Sequence, residues 1–389
     1  MNTTDRIERL RQNYINSKPS VCCERARIFT ESHKRTEGLP TPVRRAQAFY
    51  DFCNEFDIRI FEDELIVGTA GIFSPEFSWM WVDREMDTFD KRPQDPYEMT
   101  DEQRAYVREN IFPYWKGQSL EEHFLAMLPP ETAKVVVDTG IVDNDSKWRQ
   151  AVGEITPDYQ DVLFPQGFGG ILAKAEAHLK EMDFSKAEDL EKITFYRSVI
   201  LTSKGIIRFA ERYSELAARM AEEEKDPTRK AELLKISEVC KNVPQNPPQS
   251  FHEAIQFVWF TQLGAIISEN PLALNPGRFD QYMFPYYEKD INEGVITKDD
   301  ARELIQALWL KFSEWVWTIS SNTAGFFAGY NQFQNMTIGG RKRDGSDATN
   351  ELSYLCLEAT DRVRTHQGHR LSGHPQRPSG QPDAAAGGL

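Results

Sequence analysis

Cysteine is scarce in this sequence, with five among 389 residues, at positions 22, 23, 53, 240 and 356. The number is odd and no pair has metal-type spacing, so neither a disulfide framework nor a metal site is expected, and the compartment is expected to be a reducing cytoplasm. An apolar signal region is also missing from the start, Met1-Asn2-Thr3-Thr4-Asp5. No apolar run reaches the roughly 20 residues that a bilayer needs. The longest, residues 254–267, is interrupted by Gln256, Thr261 and Gln262. Positive charge is in deficit, with 46 Lys and Arg against 60 Asp and Glu and a net charge of −14. Such a balance repels phosphate backbones and anionic lipid surfaces, which argues against nucleic-acid and membrane partners.

What is present suits a large folded core. Hydrophobic residues make up 40%, and 23 glycines bring the apolar share close to the globular average. The first hundred residues read as helices joined by Pro-bearing loops, with one strand-like piece, Glu64-Leu65-Ile66-Val67-Gly68. Trp79, Met80 and Trp81 read as packing. Between residues 183 and 243, apolar residues recur at helical spacing, and Asp226-Pro227 marks a new helix start that carries Leu233, Ile236 and Val239 inward. Pro244, Pro247 and Pro248 stop it. Ser250-Phe251-His252-Glu253 and Thr297-Lys298-Asp299-Asp300 have capping spacing and open further helices. Asn335-Met336-Thr337-Ile338-Gly339 is the best strand, followed by a turn at Arg343-Asp344-Gly345 and a helix over 351–363. No internal repeat is visible.

From Gln367 onward the composition switches abruptly. The stretch has no aromatic and no β-branched residue, so it cannot bury enough apolar area to offset its backbone entropy and is expected to be disordered. The switch reads as a loss of reading frame near Gln367, with a natural flexible tail as the alternative.

Several motif-like segments have simpler readings. His252-Glu253-Ala254-Ile255-Gln256 lacks the second histidine that zinc-protease chemistry requires, so His252 is expected at a surface or cap. Gln166-Gly167-Phe168-Gly169-Gly170 lacks the preceding strand and full glycine fingerprint of a phosphate loop, and reads as a turn that lets backbones approach closely. No nucleophile-elbow sequence occurs. Residues 145–159, with Trp148, Arg149, Glu154 and Tyr159, read from the residues alone as a solvated loop, with a binding loop as the alternative, and residues 320–333, rich in small, polar and aromatic types, have the make-up of a loop lining something.

Read in order, these segments resemble the glycyl radical enzymes of the pyruvate formate-lyase superfamily, in the branch with choline trimethylamine-lyase and glycerol dehydratase. The resemblance covers residues 1–366. It is carried by Arg25-Ala26 with Thr30-Glu31, Asp63-Glu64-Leu65-Ile66-Val67-Gly68, Arg92-Pro93-Gln94-Asp95, Phe112-Pro113-Tyr114-Trp115, Pro276-Gly277-Arg278-Phe279-Asp280-Gln281-Tyr282, and Phe327-Ala328-Gly329-Tyr330 with Gly339-Gly340. It implies a helix-rich α/β fold, the N-terminal part of a ten-stranded β/α barrel in two antiparallel halves. It also implies thiyl-initiated radical cleavage of a C–N, C–O, C–S or C–C bond in a small molecule. In the family an organic glycyl radical, installed by an activating S-adenosylmethionine iron–sulfur enzyme, oxidises a cysteine in a Gly-Cys-Val-Glu-like loop. Neither that loop nor the Arg-Val-x-Gly-Tyr-like glycine loop occurs in these 389 residues, so no residue here is assigned as catalytic and no bound cofactor is expected.

What the resemblance leaves to this chain is substrate-pocket wall. Glu154 falls where the choline enzyme has an aspartate and the glycerol enzyme a histidine. Phe333 matches an aromatic wall position, and Arg149, close to Glu154, is expected either to clamp a sulfonate or carboxylate bidentately or to lie at the surface. Leu272 and Ala273 are apolar where diol-type relatives have polar groups, which argues against a plain diol dehydratase. A homodimer is implied by similarity. The alternatives are a formate acetyltransferase, or a non-catalytic fragment that depends on a partner.

Overall fold

In a computed structural model of the 389-residue chain, the described residues are 4–71, 73–139, 154–271, 273–315, 318–327, 334–364 and 371–373. The helix Phe251–Glu269 is apolar on every side, with Phe251, Ile255, Phe257, Val258, Phe260 and Ile267 fully buried. A helix without a polar face belongs inside a core, and the others pack around it. They include Glu24–Arg35, Thr41–Glu55, Phe164–Glu181, the 37-residue Ala187–Glu223, Pro227–Asn242, Phe279–Asn292, Lys298–Glu314 and Glu351–Val363. A second cluster, built on Trp81, Phe89, Phe112 and Trp115, fills the region between residues 73 and 115.

The start signals read from the sequence are realised. Asp226 caps Pro227–Asn242 by accepting from the Thr228 and Arg229 amides. Thr297 and Asp300 form a reciprocal capping box. At Ser250 the box is half made: its hydroxyl accepts the Glu253 amide at 3.2 Å, while the Glu253 carboxylate turns to Gln249 N (2.6 Å) and Asn242 Nδ2 (2.9 Å).

Four short strands lie among the helices: β1 (Glu154–Ile155), β2 (Ala273–Leu274), β3 (Met336–Ile338) and β4 (Leu371–Gly373). β1 pairs with β2 and β3 with β4, both in parallel, and a parallel bridge between Gly277 and Met336 joins the two pairs. The pairs remain two separate two-stranded sheets, with helices between successive strands, as parallel pairing requires. β4 lies inside the segment expected to be without structure, and the remainder of that segment lies outside the described residues.

The strand expected at residues 64–68 does not form. Its backbone is instead paired by side chains of the central helix. The Gln256 amide accepts Val67 N at 2.9 Å and donates to Val67 O at 2.8 Å, Trp259 Nε1 donates to Gly68 O at 3.0 Å, and His252 Nε2 meets Leu65 O at 3.0 Å. A carboxamide offers the same donor and acceptor as a neighbouring strand.

Arg25 fixes the other end of that helix. It has no solvent exposure, stacks on Phe29 at 3.7 Å, and donates to Ile267 O (2.8 Å), Phe73 O (3.3 Å) and both oxygens of Glu76 (2.6 and 3.2 Å). Burial pushes the Glu76 carboxyl up, but Arg25 outweighs it and holds the group below its ordinary value. Removing one partner of a buried pair strands the other. Arg25→Met is expected to cost about 3–5 kcal/mol in urea unfolding, with much of the loss recovered in Arg25→Met/Glu76→Met. A single-variant loss below about 1 kcal/mol, on the scale of an exposed pair, contradicts this account.

Candidate functional site

The strands present a wall whose two faces differ. Asn275 N donates to Ile155 O at 2.8 Å, which holds β1 against β2 in register, Glu154 beside Ala273 and Ile155 beside Leu274. Ile155 and Leu274 pack with Ile266 and Trp315. Successive side chains of a strand point to opposite faces, so Glu154 faces away from that cluster, and it is exposed to solvent. On β3, Met336 and Ile338 enter the main core, which turns Thr337 the other way. Asn275 Oδ1 accepts Asn335 N at 3.0 Å, tying the entry of β3 to β2.

Of the residues singled out from the sequence, Glu154 is thus placed on the strand face opposite the Ile155–Leu274 cluster. Arg149, Trp148, Phe333 and Leu272 lie outside the described residues. Asn275 and Asn335 were missed, since an asparagine before a strand or a Pro-Gly pair carries no periodic signal. Glu269, in the expected wall segment, pairs with Arg45 at 3.0 Å, and Asn270 ends the central helix in a left-handed conformation with φ 40°.

The Pro276-to-Tyr282 motif acts as a lock. Gly277, at φ +70°, turns the chain from β2 into the helix Phe279–Asn292, a backbone region that strains other residues. Thr337 N donates to Gly277 O (2.8 Å), Arg278 Nη2 to Gly339 O (3.0 Å), Tyr282 Oη to Pro276 O (2.9 Å), and Gln281 Nε2 to Ala348 O (2.8 Å). The fully buried Asp280 accepts Gly339 N at 2.7 Å and the Ser353 hydroxyl. These contacts clamp both ends of β3 to β2, so the motif is scaffold.

Two other segments are likewise structural. A Cβ on Gly167 would stand 2.3 Å from Gln245 O, and the amides of Phe168 and Gly169 donate to Pro244 O (2.9 Å) and Gln245 O (2.8 Å). The donors a phosphate loop would need are already used. His252 is neither at the surface nor a cap: burial lowers its pKa to about 4 against the Leu65 carbonyl, and it stays neutral.

Cys53, Cys240 and Cys356 are buried, and burial raises all five thiol pKa values, so none of these sulfurs is a thiolate near neutral pH. Among the described residues no group of three His, Cys, Asp or Glu side chains is arranged to hold a metal ion. The site therefore offers an exposed carboxylate on a parallel-sheet wall, capable of accepting a hydrogen bond or a proton.

Solved structures share this architecture at substantial identity. The glycerol-bound B12-independent glycerol dehydratase of Clostridium butyricum superposes with a TM-score of 0.88 at 35% identity, over 93% of this chain and 46% of that one. A glycyl radical enzyme of Archaeoglobus fulgidus superposes at 0.87 and 34%, over 95% and 48%. The fold is thus the N-terminal part of the glycyl radical enzyme fold. The sequence model of the Pyruvate formate lyase-like family matches residues 1–369, and the chain belongs to that family. Among curated relatives, the isethionate sulfite-lyase of Nitratidesulfovibrio vulgaris is 35% identical over 380 residues, 94% of this chain and 46% of the relative. The chain spans about half the length of the relatives it matches.

Asp280 provides a direct check on the lock. Asp280→Ala leaves the Gly339 amide and Ser353 hydroxyl without their buried acceptor and is expected to destabilise by about 2–4 kcal/mol. Asp280→Asn, which keeps one acceptor, is expected to cost less. Equal losses in the two variants would show that packing volume, and not the hydrogen bonds, makes the lock.

Proposed function

We propose that this chain is the substrate-wall half of a glycyl radical lyase or dehydratase, acting on a small polar molecule in an anaerobic cytoplasm. The observation that carries the reading is the position of Glu154, an exposed carboxylate on β1, on the face opposite the Ile155–Leu274 cluster, in a chain whose family membership spans nearly its whole length. A carboxylate so placed binds a substrate hydroxyl or cation, or accepts the proton released as a leaving group departs. Arg149 and Phe333 join it as a bidentate anion clamp and an apolar wall. Similarity to an isethionate sulfite-lyase supports a sulfonate as the bound anion, since a guanidinium matches that geometry.

The radical chemistry itself needs groups that these 389 residues do not contain. In the family it starts from an organic glycyl radical, installed by an activating iron–sulfur enzyme. No Gly-Cys-Val-Glu-like or Arg-Val-x-Gly-Tyr-like loop is present, and the cysteines that are present stay protonated in structural places. Turnover accordingly depends on a polypeptide that carries both loops, and pairing into a homodimer accompanies it. Among the described residues no helix is long and apolar enough to cross a membrane.

Two measurements test this reading. The 389-residue chain alone, treated anaerobically with an activating enzyme and S-adenosylmethionine, is expected to show no glycyl doublet in electron paramagnetic resonance and to release no sulfite from isethionate; either signal overturns the assignment. In a form that carries both loops, Glu154→Gln is expected to lower kcat/KM at least about tenfold with the fold intact, the scale of one lost proton-transfer or charged contact. Unchanged kinetics would remove Glu154 from the site.

A further inference from the structure

A cavity of about 530 Å³ opens between the helix Asp5–Asn16, the loop through Ser20 and the ends of Phe251–Glu269 and Lys298–Glu314. Neither Glu154 nor β1 lines it. Ile266 and Trp315 line it and also pack on Leu274, so their layer separates it from the strand face described above. Its volume is that of a small-molecule site.

Two features of its lining select a ligand. The first is charge. Lys311, buried beneath the cavity, is shared by Glu64 and Glu314, the latter at 2.9 Å, and both carboxylates reach the lining. Two negative groups against one positive group leave the trio with one uncompensated negative charge. Burial works against the Lys311 ammonium, but Glu314 and Glu64 outweigh it and hold Lys311 charged. Glu314 is the outward member, with 38% of its side chain exposed, and among the described residues its only hydrogen bond is the one from Lys311. The second is the aromatic lining of Trp259, Trp315, Phe73 and Phe61, whose ring faces attract cations. The other cation at the rim, Lys18, is paired with Glu98 at 3.3 Å.

We propose that this cavity binds a small organic ammonium ion, with Glu314 as its counter-ion and Trp259 and Trp315 as its aromatic walls. A protonated amine supplies the missing positive charge and the apolar body that the rings cover. An anion would meet the excess carboxylate, and a neutral alcohol would leave Glu314 without a cation.

The groups that face Glu314 are Lys311 on its own helix, Glu64 from the loop, Tyr14 from the first helix and, near Lys311 and Glu64, Tyr213 from Ala187–Glu223. Burial and Glu64 outweigh Lys311 and raise Glu314 to about 7, while both tyrosines are raised to about 12 and stay neutral. Ammonium affinity should therefore be full above pH 7 and fall as the pH drops below it and Glu314 takes up a proton.

The test is calorimetric titration of the 389-residue chain with benzylammonium, benzyl alcohol and benzoate at pH 8, alongside the indole N–H resonance that Trp315→Phe identifies. Benzylammonium is expected to bind at least about tenfold tighter than benzyl alcohol, benzoate not measurably, and the Trp315 resonance to shift on binding. Glu314→Gln should weaken benzylammonium at least about tenfold and abolish the pH dependence. Ser20→Trp, at the exposed rim, should weaken it by narrowing the mouth and covers the case in which the Gln variant does not fold. Equal binding of all three probes, no binding of benzylammonium, or full affinity in folded Glu314→Gln would overturn the proposal.

Discussion

The guanidinium of Arg25 determines where the central helix ends, and the candidate wall is positioned from that end. By holding Ile267 O it fixes the last turn of Phe251–Glu269, and Asn270 then reverses the backbone in a left-handed conformation. β2 begins three residues later, and β1 takes its register from β2. Glu154 reaches the face opposite the Ile155–Leu274 cluster through this succession of backbone contacts. A buried charge is a costly way to hold a helix end, because the ion must be desolvated. Here four donor contacts and the Phe29 ring replace its water shell, and no apolar residue could bond Ile267 O, Phe73 O and Glu76 together.

The residues that carry the family resemblance mostly perform this kind of structural work. Arg25 belongs to one motif, Glu64 to another, and Gly277, Arg278 and Asp280 to a third, and each is engaged in pairing backbone or a buried charge. Irregular connections between helix and strand expose amides and carbonyls that no regular ladder satisfies, so side chains with fixed donor geometry must do so. Specific polar residues at such junctions make a fold recognisable in sequence, and the framework is shared with relatives named for glycerol and for isethionate.

Local signals were readable wherever the determining partner was near in sequence. Asp226 with Pro227, Thr297 with Asp300, and the run opening at Glu351 each contain their own cap, and these helices start where the chain says they should. The glycines at 167 and 169 were also read correctly as close-approach positions. The segment at 64–68 misled because its hydrogen-bonding partner is Gln256, 189 residues away from Val67, which leaves an apolar run looking like a strand with no visible neighbour. His252 was misjudged for the same reason, since Leu65 is invisible from within its helix. For the site, the family resemblance pointed to Glu154, yet the face it occupies follows only from Ile155 meeting Leu274, a pairing that no local pattern encodes.

One thin layer of side chains stands between two chemically different surfaces. Ile155 and Leu274 belong to the strands, Ile266 and Trp315 to the ends of two helices, and the latter two also line the acidic, aromatic cavity. Because Trp315 packs directly on Leu274, a change in the position of its ring alters the contact on which Leu274 rests. Leu274 stands beside Ile155 in the ladder, and Ile155 is the immediate neighbour of Glu154. The sulfur and glycine loops of the family lie outside these 389 residues, but the geometry that a substrate would meet on this wall depends on how four apolar side chains, and the buried Arg25 behind them, hold two helix ends in place.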